Sequence, residues 1–147
     1  TVNLLPNADV SNDWTLSTGS DVYALIDDDH SGFISIDGSY VSATAAGKKL
    51  TVGFQDFTED HSSIDGVQLV TRAGNNGRAT YRTQTYTNRT TYDGSNAWDN
   101  ARVNGLKVLV ELDAHSGGTT RFTYAYVIVT YTEPLATDNS IFFGTNF

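Results

Sequence analysis

Apolar and polar positions alternate with a period of two along much of the chain, as in β-strands that have one buried face. In residues 105–112 one face carries Leu106, Val108, Val110 and Leu112, and the other face carries Lys107 and Glu111. In residues 50–57 the side chains of Leu50, Val52 and Phe54 share the face that is expected to point inward. In residues 121–131 both faces carry apolar or aromatic side chains, which predicts a central strand that is covered on two sides. Helical periodicity is not found, so the sequence predicts an all-β protein without helices.

Turn-forming residues separate these segments. Residues 74–77, Gly-Asn-Asn-Gly, predict the turn of a hairpin between residues 67–72 and 79–86, because Asn and Gly tolerate the positive φ angles of tight turns. Residues 116–118 predict the turn of a last hairpin. Turns about every 8–12 residues are typical of a two-sheet β-sandwich or jelly roll. Shorter candidate strands are Tyr23–Ile26, 33–36 and 40–44.

The strand pattern ends before Pro134, which divides the chain into a β-sandwich domain over residues 1–132 and an extended C-terminal arm over residues 133–147. A segment that stays in solvent is usually small and polar, but the far end of this arm is apolar. We therefore expect the arm to bury its bulky side chains in a neighbouring subunit. These side chains are Ile141, Phe142, Phe143 and Phe147.

Composition and charge exclude several classes of protein. The 147 residues include no cysteine, which excludes disulfide scaffolds, thiol nucleophiles and cysteine-ligated metals. Nine Lys and Arg against 17 Asp and Glu give a net charge of −8, which repels nucleic acid and anionic lipid, so neither is expected as a partner. The chain has no methionine and begins with Thr1, which favours removal of an initiator methionine after cytoplasmic synthesis over a cleaved leader.

Residues 27–38 resemble a calcium loop of the EF-hand kind. Asp27, Asp29 and Ser31 occupy alternating ligand positions, and a glycine stands at the turn. Asp37 precedes the position of the closing glutamate by one residue, and the flanks have the pattern of strands. Two interpretations stay open: a weak calcium site formed by these four side chains, or an acidic turn whose side chains bond to their own backbone. No other cofactor is indicated.

The sequence indicates that the chain is not an enzyme. Its three histidines lie in predicted turns, and no two of them have the spacing of metal ligands. No Gly-x-Ser-x-Gly motif marks a nucleophilic serine. The carboxylates cluster in loops, so a hydrolase that uses a pair of them is the alternative.

Two further sets of side chains suggest binding. Arg78 and Arg82 share one face at strand spacing, and in a chain of this charge they fit an acidic neighbour, either in its own loops or on another subunit. A solvated strand face is the alternative. Trp14, Trp98 and Tyr92 suit a platform that stacks on sugars, although large aromatic residues near strand ends also fill cores. Both interpretations of the aromatic residues stay open.

Several framework segments follow one another in a characteristic order: residues 4–9 followed by Trp14, then 23–27, 53–57, 64–67 and 125–131. In this order they resemble a family of jelly-roll domains encoded among the virion structural genes of tailed bacteriophages. The resemblance covers about residues 3–132. It implies a jelly-roll-like two-sheet β-sandwich with a role in head decoration or in the tail, and no catalytic residues. The arm and the acidic loop depart from the family pattern.

These observations together predict a capsid decoration, or cement, protein in a virion that is assembled in the host cytoplasm. Its expected partners are the major capsid protein and further copies of itself, with a trimer suggested by analogy. The arm and the two arginines would form its contacts. The alternative is a carbohydrate- or receptor-binding module on a phage tail or fibre, with the aromatic set as its sugar platform.

Overall fold

The alternating segments form two antiparallel sheets that enclose one apolar core, and the computed structural model describes residues 1–27, 39–76, 82–113 and 117–136. The six-stranded first sheet comprises β1 (Val2–Leu4), β3 (Thr15–Leu16), β4 (Val41–Ala43), β6 (Ser63–Asn76), β7 (Arg82–Thr85) and β9 (Thr119–Thr132). The three-stranded second sheet comprises β2 (Pro6–Asn12), β5 (Lys49–Phe54) and β8 (Lys107–Glu111). The predicted all-β class and two-sheet β-sandwich are confirmed.

The described residues include two short helices, α1 (Tyr23–Ile26) and α2 (Asn100–Asn104). Neither of them, nor any other stretch in the described ranges, is a helix of the length and apolarity that crossing a membrane requires.

Strand β9 is the centre of the first sheet. One of its edges pairs with β6 along the whole strand, and its other edge pairs with β4 near Phe122 and with β1 near Val129. Buried side chains occur at successive positions, since Phe122, Thr123 and Tyr124 are all buried. The prediction of a central strand covered on both faces is therefore confirmed.

The second sheet contributes its inner face to the core. Leu50, Val52 and Phe54 of β5 are buried, and β8 alternates between half-buried and exposed residues, as the sequence predicts. Leu109 of β8 lies on the outer face, where 56% of its surface is exposed. The two-residue alternation in the sequence therefore identifies which face of this sheet packs against the core.

The prediction of a last hairpin at residues 116–118 is wrong. Strand β8 pairs with β5 in the second sheet, whereas β9 lies in the first sheet, so the chain crosses between the sheets here. Gly117 and Gly118 have φ angles of 97° and 90°, which glycine adopts readily. The residues of a turn specify a change of direction without specifying which strand will be the partner.

The hairpin between β6 and β7 is confirmed, but residues 74–76 do not form its turn. Residues 74–76 continue β6, because β9 offers them partners up to the pair Asn76 and Thr119. Strand β7 pairs with the middle of β6. The turn itself and the predicted strand residues 79–81 lie outside the described residues.

The prediction of a strand at Tyr23–Ile26 is wrong, as is the prediction that helices are absent. The Asp9 carboxylate accepts hydrogen bonds of 2.8 Å from the backbone N–H groups of Val22 and Tyr23, which satisfies donors at the start of α1. Ile26 is fully buried. A helix of four residues is too short for its sequence to show a 3.6-residue period.

The shorter predictions have different outcomes. The strand at 40–44 is confirmed as β4, and the strand at 33–36 lies outside the described residues. After β9 ends at Thr132, residues 133–136 are exposed, and Leu135 exposes 94% of its surface. The rest of the predicted arm, 137–147, lies outside the described residues.

The two leucines on opposite faces of the second sheet provide a test of this packing. Leu50→Ala is expected to lower the free energy of unfolding by about 2–5 kcal/mol, because it leaves a cavity in the core. Leu109→Ala, the matched control on the outer face, should change it by less than about 0.5 kcal/mol. Urea unfolding measures both values, and equal losses in the two variants would contradict the assigned faces.

Candidate functional site

One edge of the sandwich is closed by a loop. Strand β8 is an edge strand of the second sheet and β7 is an edge strand of the first, and residues 86–106, the edge loop, connect them. The backbones of Arg89 and Val67 exchange two hydrogen bonds of 2.9 Å, which attach the loop to β6. The Asn88 amide lies against Gly66 of β6, where a Cβ would overlap it. Glycine therefore allows the loop to approach the sheet closely.

The tip of the edge loop is a turn closed by Asp93. One carboxylate oxygen accepts hydrogen bonds from the backbone N–H groups of Ser95 (3.0 Å) and Asn96 (2.8 Å), and the other accepts from the Asn96 amide at 2.7 Å. Gly94 has a φ angle of 90° within this turn. Hydrogen bonds to the ionised form, above all from the Asn96 backbone, lower the pKa of Asp93 from 3.8 to about 2.

Trp98 anchors the loop in the core. The residue is 8% exposed, and its Nε1 donates a 2.8 Å hydrogen bond to the Arg89 carbonyl. The Tyr92 ring meets it edge to face at 5.3 Å between centroids, and the Arg102 guanidinium lies 5.2 Å from the Tyr92 centroid. Arg102 also donates a 2.6 Å hydrogen bond to the Ala97 carbonyl. These contacts attach the loop to the core and to the sheet.

Helix α2 forms the last part of the edge loop, shortly before β8. Its N-terminus is capped by Asp99, whose carboxylate accepts a 2.8 Å hydrogen bond from the Arg102 backbone N–H. Val103 is fully buried, and the Asn104 side-chain oxygen accepts a 2.8 Å hydrogen bond from the Phe57 backbone N–H. The helix therefore fixes the loop to the segment that follows β5.

An apolar groove with a volume of about 240 Å³, the edge groove, lies between the two sheets at this edge. Tyr86 lines it and exposes 48% of its surface, so the groove is open to solvent at that residue. Arg89 adds a positive charge. The groove is lined by Val67, Leu69, Tyr86, Thr87, Arg89, Trp98, Leu106, Val108 and Val127.

Strand β7 directly precedes Tyr86 and Thr87, two of the residues that line the edge groove. All four of its residues are exposed, and among the described strands it pairs only with β6. Its other edge therefore presents N–H and C=O groups that another strand can pair with. Arg82, one of the two arginines predicted to bind a partner, is exposed on β7, and Arg78 lies outside the described residues.

A second cavity of about 380 Å³, the N-terminal cleft, lies between β1 and the segment that follows β5. Polar residues dominate its lining, which includes the acidic residues Asp56 and Glu59. Tyr131 packs nearby against Phe57, with 5.3 Å between the ring centroids. Burial, and then the charges of Glu59 and Glu133, raise the pKa of Tyr131. The cleft is therefore acidic, whereas the edge groove is apolar with a cationic residue.

The structure brings together only part of the predicted aromatic set. Tyr92 contacts Trp98, but Trp14 packs edge to face against Phe122, with centroids 6.4 Å apart, and is 5% exposed. Asn12 holds the Trp14 backbone by two hydrogen bonds, of 2.7 and 2.9 Å. Both tryptophans have the core role that the sequence left open, and burial leaves neither ring a free face for a sugar.

The other predicted site residues are placed only in part. Asp27 is half-buried at the end of α1, and Asp29, Ser31 and Asp37 lie outside the described residues. In the part of the chain that the structure describes, no group of three His, Cys, Asp or Glu side chains could hold a metal ion. The four bulky apolar residues of the arm also lie outside the described residues.

Sequence reasoning missed the edge groove. The alternation of Leu106 and Val108 with polar residues predicts that both lie on the inner face of a strand. It does not reveal that both residues border an opening. Tyr86 follows a strand of four exposed residues, which carries no signal for a groove. The groove depends on which strands form the sheet edges, and that is a property of topology.

Comparison with protein-family models finds no match, and comparisons with curated proteins and with solved structures find no significant one.

The Asp93 turn predicts a pH dependence of stability. Because the folded protein lowers the pKa of Asp93, the stabilisation is present above about pH 4 and is lost as the pH falls through about 2. Between pH 4 and pH 2 we expect the melting temperature of Asp93→Asn to fall less than that of the wild type. Asp113→Asn, which also removes one exposed carboxylate, is the control, and its melting temperature should fall as much as that of the wild type. Thermal melts followed by circular dichroism measure this, and equal losses in the wild type and Asp93→Asn would contradict the assignment.

Proposed function

We propose that this chain is a capsid decoration protein of a tailed bacteriophage, which binds the assembled head shell and stabilises it through subunit interfaces. The observation that carries the proposal is a β-sandwich with two candidate binding elements, the edge groove and the edge of β7 that is unpaired among the described strands. The aromatic arm supplies a third element, from the sequence. The resemblance of the framework segments to jelly-roll virion proteins supports the same role.

The topology suits a protein that carries mechanical load. The arm continues directly from β9, and β9 is hydrogen-bonded along one edge to β6 and along the other to β1 and β4. A pull on the arm along β9 therefore acts in shear on hydrogen bonds that run perpendicular to the strand. Many bonds share such a load, so an arm that clamps a neighbour can resist outward pressure on the shell.

The arm contributes binding free energy through burial. Each bulky apolar side chain that leaves water contributes about 1.5–3 kcal/mol, from which the cost of ordering the segment is subtracted. The arm has four such side chains, Ile141, Phe142, Phe143 and Phe147. The contact is repeated at every symmetry-related position of a shell, so even a modest surplus per copy stabilises the whole particle.

The charge of the chain indicates the kind of partner. With a net charge of −8, most of its surface repels other acidic proteins, and cationic positions such as Arg82 on β7 are local exceptions. We assign Arg82, with Arg78, to contacts with acidic groups of the major capsid protein or of a second copy. A trimer at local three-fold positions of the lattice is the expected arrangement.

A glycan-binding module on a tail or fibre is the second candidate that the sequence raises. Its platform would need Trp14, Trp98 and Tyr92, but both tryptophans are buried. Tyr92 is half-exposed, and the Arg102 guanidinium lies over its ring. The decoration role requires no exposed aromatic platform, so the geometry favours it.

Deletion of the arm after Glu133 tests the proposal. The shortened chain is expected to bind shells that lack this protein at least about tenfold more weakly, because the buried apolar area of the arm is lost. Cosedimentation with such shells measures the affinity, and circular dichroism shows whether the shortened chain is folded. Leu109→Ala, a change on the outer face of the second sheet, is the matched control and should bind as the wild type does. Unchanged affinity of a folded, shortened chain would mean that the arm is not the clamp.

A further inference from the structure

We propose that the edge groove is the receptor for the arm of a second copy of this chain, so that copies assemble head to tail by inserting residues 141–147 into a neighbour's groove. The inference rests on the proposed function, since that function uses the arm to bind a neighbouring subunit. It adds the surface to which the arm binds, the edge groove, and the molecule that carries this surface, a second copy of the chain.

The groove has the chemistry and the size to hold an aromatic side chain. Leu69, Leu106, Val108 and Val127 give it apolar walls, and Tyr86 offers a half-exposed ring. Its volume is about 240 Å³, whereas a cavity of about 150 Å³ accommodates benzene. One phenyl ring therefore fits with room for a second apolar group.

The arm has the complementary chemistry. Residues 134–147 contain three phenylalanines and one isoleucine, with Asp138 as their one charged side chain. Asp138 is opposite in charge to Arg89 in the groove and to Arg82 on β7. The N-terminal cleft is a poorer receptor, because Asp56 and Glu59 make it acidic. Charge and polarity together select the edge groove.

The backbone offers a second means of attachment. The outer edge of β7 presents N–H and C=O groups, and Tyr86 and Thr87, which directly follow β7 in the chain, line the groove. Pairing of an added strand with an exposed edge supplies main-chain hydrogen bonds, while pockets for alternate side chains supply specificity. The groove and β7 can therefore act as one docking surface.

The course of the chain after β9 favours a second copy as the source of the arm. The groove residues Leu69 and Val67 pair with Val127 and Val129, about 10–17 Å back along β9 from its end at Thr132. An arm that returned to its own groove would have to reverse its direction after β9. Residues 133–136 are exposed, and Leu135 exposes 94% of its surface. These exposed residues favour an arm that is directed away from its own domain.

An arm in a neighbour's groove is a heterologous contact, because one copy contributes the arm and the next contributes the groove. Such contacts form a closed ring when the rotation that relates successive copies is a simple fraction of a full turn. A rotation of one third of a turn gives a trimer. The trimer expected from the resemblance is consistent with this mode of assembly.

A complementation experiment with full-length chains in the absence of shells tests the inference. Tyr86→Glu places a charge at the groove and leaves the arm intact, and Phe142→Ser with Phe143→Ser impairs the arm and leaves the groove intact. Light scattering after size-exclusion chromatography measures mass over a dilution series. We expect the wild type to assemble, each variant to assemble at least about tenfold more weakly, and an equimolar mixture of the two variants to form dimers.

Leu109→Glu, which adds the same charge on the outer face of β8, is the matched control and should assemble as the wild type does. A monomeric wild type, or a mixture that does not form dimers because each arm occupies its own groove, would overturn the inference. Shell binding by a chain that stays monomeric would overturn it and leave the decoration proposal standing. Assembly of a chain that binds no shell would support the inference and overturn the decoration proposal.

Discussion

The pairing of β6 with β9 is the interaction on which the rest of the structure depends. The two strands remain paired along almost their full lengths, and every other strand of the first sheet except β3 is hydrogen-bonded to one of them. The inner face of β9 supplies Val127 and Val129 to the core, opposite the face of the second sheet that supplies Leu50 and Val52. The edge groove combines residues of β6 and β9 with residues of β8 and of the loop that connects β7 to β8.

Sequence patterns predicted the parts of this fold that depend on local alternation. The apolar faces of β5, β8 and β9 follow from period-two spacing, and the residues in them lie where that spacing puts them. Features that depend on distant partners were not predictable in this way. The connection at residues 116–118 has the residues of a tight turn, but only the topology places its two strands in different sheets. Helix α1 begins at backbone donors satisfied by Asp9, which is remote in sequence.

The candidate site shows the same division between local and distant information. Trp98 is recognisable in the sequence as a large aromatic residue, yet its role as the anchor of the edge loop depends on the Arg89 carbonyl and on Tyr92. The groove beside it combines Leu69 of the first sheet with two residues at the edge of the second sheet. These are Leu106, which directly precedes β8, and Val108, which lies in β8. A binding surface built from both sheets needs the tertiary structure before it can be recognised, and its apolar lining then connects it to the aromatic arm.

The central claim is that this chain decorates a shell lattice, and the copy number of the chain in purified source particles tests it most directly. Quantitative mass spectrometry gives this number relative to the major shell subunit. The account predicts about one copy per shell subunit, or one per few subunits, as repeated lattice positions require. A handful of copies per particle would assign the chain to a tail or fibre instead, and its absence from the particle would contradict the virion role altogether.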